Sequence, residues 1–496
     1  MADPLAVVPY AVAAGGGRVD ALDAAQLTAA GLTLLRRSAP LVRALAGRRA
    51  AILLPTSSAF FVALAACDGR GAVLVNPLAA APEIADQLAD ADVGAVFTVT
   101  ALAGRLPPGT PHVLLDAAPA AARVVAADGT ARDVDLAAHA GDALALEGSR
   151  DAEGLDEEAA VVYTSAMRGR LLGAILTHRN LLSNARATMR AGGVTAADHA
   201  LAVLPFSHLF GLVVSGLTPL LAGARVTTMV RFNPITAVDL IAREDVTFLV
   251  GVPAVFAALL QAAERRGGLG AGGLASTGLR VCICGGAPLP VALQERWHAA
   301  TRVELRQGYG LTEAGPVCLF NRVDRPNKLG ALGLPFPGVD VAIRDPHTGA
   351  PCPTGARGEV CVRGPNVGPG YVSGGEDGLG RWPDGAGDGR GRAEGAWLRT
   401  GDLGAADAEG YVTFGGVCKP MFTRNGFNIY PREIERVVGA MPGVRRVAVR
   451  AVPDPAREHD IALDVEGDVT PEAVEAWCAA RLSAYKQPSE VAVAGA

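Results

Sequence analysis

Apolar residues along the chain come in short continuous runs, separated by longer stretches in which they recur every three or four positions. The runs AAILLP (50–55), GAVLVNP (71–77), VGAVFTV (93–99), DVTFLVGVP (245–253) and LRVCICGG (279–286) are too short for helices, and Gly or Pro punctuates most of them. They predict buried strands. Between them the spacing lengthens: Ile84, Leu88 and Val93 fit one face of a helix over 82–93. Strands alternating with helices predict an α/β architecture with a largely parallel sheet. From about residue 330 the pattern changes to GVDVAIRD, GEVCVRG and GYVTFGG between Gly and Pro turns, the texture of antiparallel structure.

The stretch SGGEDGLGRWPDGAGDGRGRAEG (373–395) has little to bury and predicts a surface loop. Beyond residue 419 a compact α+β unit follows. PREIERVVGAM is a predicted helix with Ile434, Val437 and Val438 on one face, VRRVAVRAVP a strand and PEAVEAWCAARL a second helix. A chain of 496 residues exceeds one compact core. The expected layout is a large region over 1–416, built of two αβ sheet subdomains and a small β-rich subdomain, then a hinge at 417–420 and a small α+β domain over 421–496. No internal repeat is present.

Composition narrows the function classes. Half the residues are hydrophobic, 19% are charged and the formal net charge is −5, which fits a globular enzyme and gives no support to a nucleic-acid partner. The eight cysteines include no C-x-x-C pair, so they are expected to be reduced core residues rather than metal ligands. The start MADPLAVVPYAVAAGGG lacks a basic segment leading into a long apolar one, and the apolar stretch 212–224 is interrupted by Ser215 and Thr218. Neither a signal peptide nor a transmembrane segment is expected, and the cytoplasm is the expected location.

Candidate chemistry begins with YTSAMRGRLLGAILTHRN (163–180), which starts and ends like an anion-binding loop leading into a helix. Its centre, with Ala166, Met167, Leu171 and Leu172, departs from the usual glycines, hydroxyls and lysine. In QGYGLTE (307–313) glycines allow close backbone approach to a ligand, Thr312 offers a hydroxyl to phosphate and Glu313 offers a hard oxygen to Mg²⁺. LPFSHLFG (204–211), GGAPL (285–289), RTGD (399–402) and NGFNIYPREIE (425–435) complete the set.

Six such motifs in this order, covering nearly the whole chain, resemble the superfamily of adenylate-forming enzymes that includes acyl-CoA synthetases, nonribosomal peptide adenylation domains and luciferases. The resemblance implies a nucleotide site made of Thr164, Ser165, Gly169, Gly173, Gly286, Ala287, Pro288, Tyr309, Thr312 and Asp402. Tyr309 would lie against adenine and Asp402 would accept the ribose hydroxyls. It also implies an acid-substrate site at His208, Phe210 and Gly308, a loop beside the entering thiol at Asn425 and Gly426, and a hinge residue at Lys419. Thr312, Glu313 and Lys419 take the catalytic roles, with Glu313 also the metal ligand. The implied cofactors are ATP/AMP, Mg²⁺ and CoA, and the implied partners are an apolar carboxylic acid, fatty or aryl, and CoA or an acyl carrier protein. The segments GLVVSGLTPLLAGA and GVPAVFAALL are expected to supply apolar lining.

Three departures stand against the family pattern. The phosphate loop lacks two hydroxyls and its lysine, although Arg168 and Arg170 carry positive charge; the hinge is introduced by Gly416-Val417 rather than Gly-Arg; and the chain given ends before a Gly-Lys turn, with Lys486 a poor substitute. Two readings follow: an acyl- or aryl-CoA ligase with an atypical loop, or an adenylation-deficient relative that binds acyl-AMP or acyl-CoA as a thioester transferase or silent partner.

Overall fold

In a computed structural model the protein is described over residues 8, 15–20, 22–67, 71–137, 152–165, 171–265, 274, 277–373, 379–382, 396–418, 421–455 and 457–494. The five apolar runs all form strands: Arg49–Ile52, Ala72–Leu74, Val93–Thr98, Phe248–Gly251 and Val281–Cys284. Every residue in them except Arg49 is buried. The expected helix over 82–93 forms as Ala81–Asp90, with Ile84 and Leu88 buried. Cys282 and Cys284 lie wholly inside the sheet, and burial pushes the Cys282 thiol up to about 12. All eight cysteines are free.

Two large sheets carry residues up to Val417. In one, Arg49–Ile52 lies between Ala72–Leu74 and Val93–Thr98, all parallel, and Glu158–Ser165 extends the sheet beside Ala72–Leu74. In the other, Arg225–Thr228, His199–Ala202, Phe248–Gly251, Val281–Cys284 and Leu305–Gly310 run parallel in that spatial order. One buried cluster spans both sheets and the helices between them. Its largest member, Trp297, is fully buried and meets Phe256 edge to face with centroids 4.8 Å apart.

Leu305–Gly310 is a seam. Parallel to Val281–Cys284 on one side, it is antiparallel to Val317–Phe320 on the other, and the hydrogen bonding continues through Ala331–Pro335 and Val412–Val417 to Trp397–Ala406. The expected β-rich part is hydrogen-bonded onto the second sheet and gathers around a buried cluster of its own that includes Leu319, Val360 and Leu398. Four strand steps separate Leu305–Gly310 from Trp397–Ala406, about 19 Å if the sheet were flat. The Tyr309 hydroxyl nevertheless reaches Asp402 Oδ2 at 2.7 Å. The sheet is rolled, and irregular registers at Tyr309/Gly310, Ala331/Gly333 and Leu403/Gly404 supply the bends. Glycine is required there: a Cβ on Gly310 would meet Pro316 O at 1.8 Å, and one on Gly333 would meet the Phe320 carbonyl carbon at 2.2 Å.

The small domain has the predicted elements. Val444–Asp454 pairs antiparallel with Glu458–Gly467, which pairs parallel with Glu490–Ala494, and helices Pro431–Gly439 and Pro471–Arg481 pack on them around Ile434, Val438, Val474 and Cys478. Trp477 Nε1 donates to Val437 O at 2.8 Å and ties the two helices together. Of the expected surface loop, Arg381–Trp382 forms a short strand against Trp397–Ala406, while 374–378 and 383–395 lie outside the described residues, as does Lys419 at the expected hinge. No described helix is long and apolar enough to cross a membrane.

Candidate active site

A cavity of about 300 Å³ lies where the rolled sheet, the strand Glu158–Ser165 and the small domain meet. Local sequence explains its rigid frame. Thr177 caps the helix His178–Gly192 by accepting from Asn180 N, while Asn180 Oδ1 accepts from Thr177 N. One turn on, the same face of the helix reaches across: Asn180 Nδ2 donates to Pro365 O and Val367 O, and Asn184 Nδ2 donates to Val317 O. These buried bonds fix both sides of the turn that carries Thr312 and Glu313. The RTGD turn is braced in the same way. Arg399 and Gly401 N both bond the buried Glu359 carboxylate, and Thr400 Oγ1 donates to Val360 O while accepting from Asp402 N.

The expected nucleotide residues converge. Thr164, Gly286, Ala287, Pro288, Tyr309, Thr312 and Asp402 all border the cavity. Burial, then the nearby Asp402 charge, holds the Tyr309 hydroxyl well above the usual tyrosine range, so it stays a donor. Gly286 has φ +79°, a conformation that favours glycine, which lets the 285–288 backbone turn toward the cavity. Ser165 ends its strand opposite Leu171.

The segment 164–173 differs from expectation. Its described ends, instead of leading straight into a helix, lie in two paired strands: Glu158–Ser165 pairs antiparallel with Leu171–Thr177 before the helix starts at His178. Gly173 thus lies in a strand opposite Tyr163, where a Cβ would meet Val161 Cγ1 at 2.8 Å; packing, not a ligand, explains this glycine. Gly169, with Arg168 and Arg170, lies outside the described residues.

Glu313 Oε1 accepts from the hydroxyls of Tyr371 at 2.9 Å and Thr164 at 3.3 Å. Burial, then the Glu313 charge, raises Tyr371 above the usual tyrosine range. Among the described residues the other Glu313 oxygen takes no protein donor, and no cluster of three metal-ligating side chains exists. A single carboxylate with one oxygen to spare fits Mg²⁺, which is usually held by one or two carboxylates together with substrate phosphates. Tyr371 is absent from the sequence reading: it stands just before the Gly- and Asp-rich stretch, and nothing local marks it as a partner of Glu313.

The residues expected at the acid site, His208, Phe210 and Gly308, border the same cavity. The His208 ring is exposed to the cavity, and desolvation by the surrounding protein lowers its pKa below the usual histidine value, leaving it neutral at pH 7. Phe210 fills the space beside Gly285, where a Cβ would meet its Cζ at 3.1 Å. The segments 211–224 and 251–260 do not line the cavity; most of their apolar side chains belong to the main core. The predicted thiol-side loop arrives from the small domain. Asn425 (φ +52°) and Gly426 (φ +76°) form its turn, Gly426 borders the cavity, and Phe427 stands 5.7 Å from His208, centroid to centroid.

Replacing Asp402 by alanine removes the carboxylate opposite Tyr309. It is expected to weaken AMP binding by about 1–3 kcal/mol, the scale of hydrogen bonds to a charged acceptor. Calorimetric titration with AMP measures this, and unchanged affinity would remove Asp402 from the nucleotide site.

The model of the family described as "AMP-binding enzyme" matches residues 39–372. The chain is 32% identical over 452 residues to a feruloyl-CoA synthase from an Amycolatopsis species, covering 90% of this chain and 84% of the relative. It is 30% identical over 336 residues to a long-chain-fatty-acid–CoA ligase of Bacillus subtilis (strain 168), covering 66% of this chain and 57% of that protein. Among solved structures, a malonyl-CoA ligase in a ternary product complex with methylmalonyl-CoA and AMP superposes with a TM-score of 0.75 at 28% identity, covering 97% of this chain and 96% of that one. With the Tyr309–Asp402 pair, the Glu313 carboxylate and the 285–288 turn on one cavity, the chain belongs to the AMP-binding enzymes of the adenylate-forming superfamily.

Proposed function

We propose that the protein is an AMP-forming acid–thiol ligase that activates an apolar carboxylic acid, fatty or aryl, as its acyl-AMP and passes the acyl group to CoA or a carrier-protein thiol. The observation that carries this reading is the meeting of three groups of side chains on one cavity: Tyr309 with Asp402, Thr312 with Glu313, and His208 with Phe427. The names of the relatives, acting on feruloyl, long-chain fatty and malonyl groups, support the reaction type.

In the first half-reaction a carboxylate oxygen of the acid attacks the α-phosphorus of ATP, forming the acyl–phosphate bond as pyrophosphate leaves. In the second, thiol sulfur attacks the acyl carbon, AMP departs and the thiol proton is released. The chain contributes placement and electrostatics. Asp402 accepts the ribose hydroxyls, the 285–288 backbone and Tyr309 flank the base, and Thr312 donates to phosphate. Glu313, steadied by Tyr371 and Thr164, would hold Mg²⁺, which when bound neutralises phosphate charge. Neutral His208 and Phe210 wall the acid, and the 425–427 loop borders the path of the thiol. Among the described residues each cavity carboxylate has another assignment, Glu83 to Lys486, Asp402 to Tyr309 and the ribose, and Glu313 to two hydroxyls and Mg²⁺, so none is left to receive an α-amino group; this favours an apolar acid.

The altered phosphate loop leads to a specific expectation. One lost cation and two lost hydroxyls should raise the adenylation barrier by roughly 2–4 kcal/mol, leaving acyl transfer less affected. The test supplies fatty and aryl acids with ATP, Mg²⁺ and CoA in one set of reactions and prepared acyl-AMP with CoA in another. Thioester should form in both, much faster relative to ordinary ligases in the second. Absence of both pyrophosphate release and thioester formation would overturn the ligase reading.

A further inference from the structure

Lys486, unpromising in the sequence as a stand-in for a terminal lysine, has a different place in the fold. Its ammonium donates to Glu433 Oε1 at 2.5 Å and to Glu83 Oε1 at 2.9 Å, and all three side chains are less than a tenth exposed. Glu433 belongs to the small domain. Glu83 belongs to the helix Ala81–Asp90 of the large region, where its other oxygen accepts from Ala80 N and from the Ser483 hydroxyl of the small domain. Burial alone would push the Lys486 ammonium down, but Tyr485, Glu433 and Glu83 outweigh it and hold it above the usual lysine range.

The neighbouring side chain continues the contact toward the chemistry. Tyr485 stacks on Phe427 with centroids 4.3 Å apart, and Phe427 faces His208. A line of contacts thus runs from Glu83 through Lys486, Tyr485 and Phe427 to the acid pocket. If the small domain moved away, Lys486 would keep Glu433, which travels with it. What would be lost is the bonding to Glu83 from Lys486 and Ser483.

We propose that Glu83 and Lys486 are positioning residues for acyl transfer: their buried ion pair holds the small domain where the 425–427 loop closes on the acid pocket. This rests on the ligase reading for its kinetic consequence, though not for its structural one. The charge is the point, since removing one carboxylate from a buried ammonium leaves its charge less compensated in a site without water, which is costly.

The test compares Glu83→Gln, which keeps shape and the Ala80 bond while removing the charge, with the milder Ser483→Ala, both in the full chain. For Glu83→Gln, kcat for thioester formation from acyl-AMP should fall at least tenfold with KM for acyl-AMP within about twofold. ATP–pyrophosphate exchange should not fall, and amide hydrogen exchange over 422–429 should be at least fivefold faster. Ser483→Ala should move the same quantities in the same direction by less. Parallel loss of both half-reactions, or unchanged amide exchange over 422–429, overturns the proposal. If the unsubstituted protein forms no thioester, the ligase reading fails, and the amide exchange alone decides whether Glu83 holds the domain.

Discussion

Replacing Glu313 by glutamine should slow ATP-dependent formation of acyl-AMP by roughly two to three orders of magnitude, the usual cost of removing one preorganised electrostatic contact from a transition state. Glutamine has nearly the same shape, and its carbonyl oxygen can still accept from Tyr371 and Thr164, so the frame of the site is retained. Only the charge goes. Transfer from supplied acyl-AMP does not develop a departing pyrophosphate and should stay within about fivefold of the parent. The measurement is the ratio of the two rates, with Mg²⁺ varied. Equal slowing of both steps would place Glu313 in the scaffold, and a full rate in the absence of divalent metal would remove its assigned role.

The second large effect is on stability. Trp297, within the helix Val291–Thr301, is fully buried and stands edge to face with Phe256. Trp297→Ala deletes a complete bicyclic side chain from the shared core and leaves a cavity that flanking strands cannot collapse to fill. A loss of about 3–5 kcal/mol is expected. In a cooperative unit of roughly 400 residues, with an unfolding entropy of about 2.1 cal/mol/K per residue, that lowers Tm by roughly 3–6 °C. A thermal scan showing a shift under 2 °C would mean that the site repacks, contrary to its close-packed surroundings.

The sequence disclosed the parts of the protein whose physics is local. Continuous apolar runs located the parallel strands because both faces of each are covered, and the Ile434 and Val438 spacing located a helix whose one face is buried. The glycine-rich QGYGLTE and RTGD segments stood out because backbone geometry there restricts residue type. What remained hidden depends on the third dimension. The strand Leu171–Thr177 has alternation blurred by Gly173 and a leucine pair, so its pairing with Glu158–Ser165 read as a loop. Tyr371 meets Glu313 across 58 residues, and Glu83 meets Lys486 across 403, with no periodicity to reveal either. The segments 211–224 and 251–260 read as pocket lining because apolar character does not distinguish a wall from a core.

The rolled sheet has a bearing on divisibility. Its closure at the cavity is made by a phenol and a carboxylate rather than by a ladder of backbone bonds, so the roll has a side that a flat ligand can enter without breaking strand pairing. The two halves of the nucleotide grip are nonetheless nearly a hundred residues apart and are brought together only by the intervening curl of strands. No excised fragment ending before residue 402 retains both halves. A split version cut between them is expected to recover AMP binding only when its pieces reassemble, which makes the nucleotide site a reporter of fragment complementation and ill suited to transplantation as a compact module.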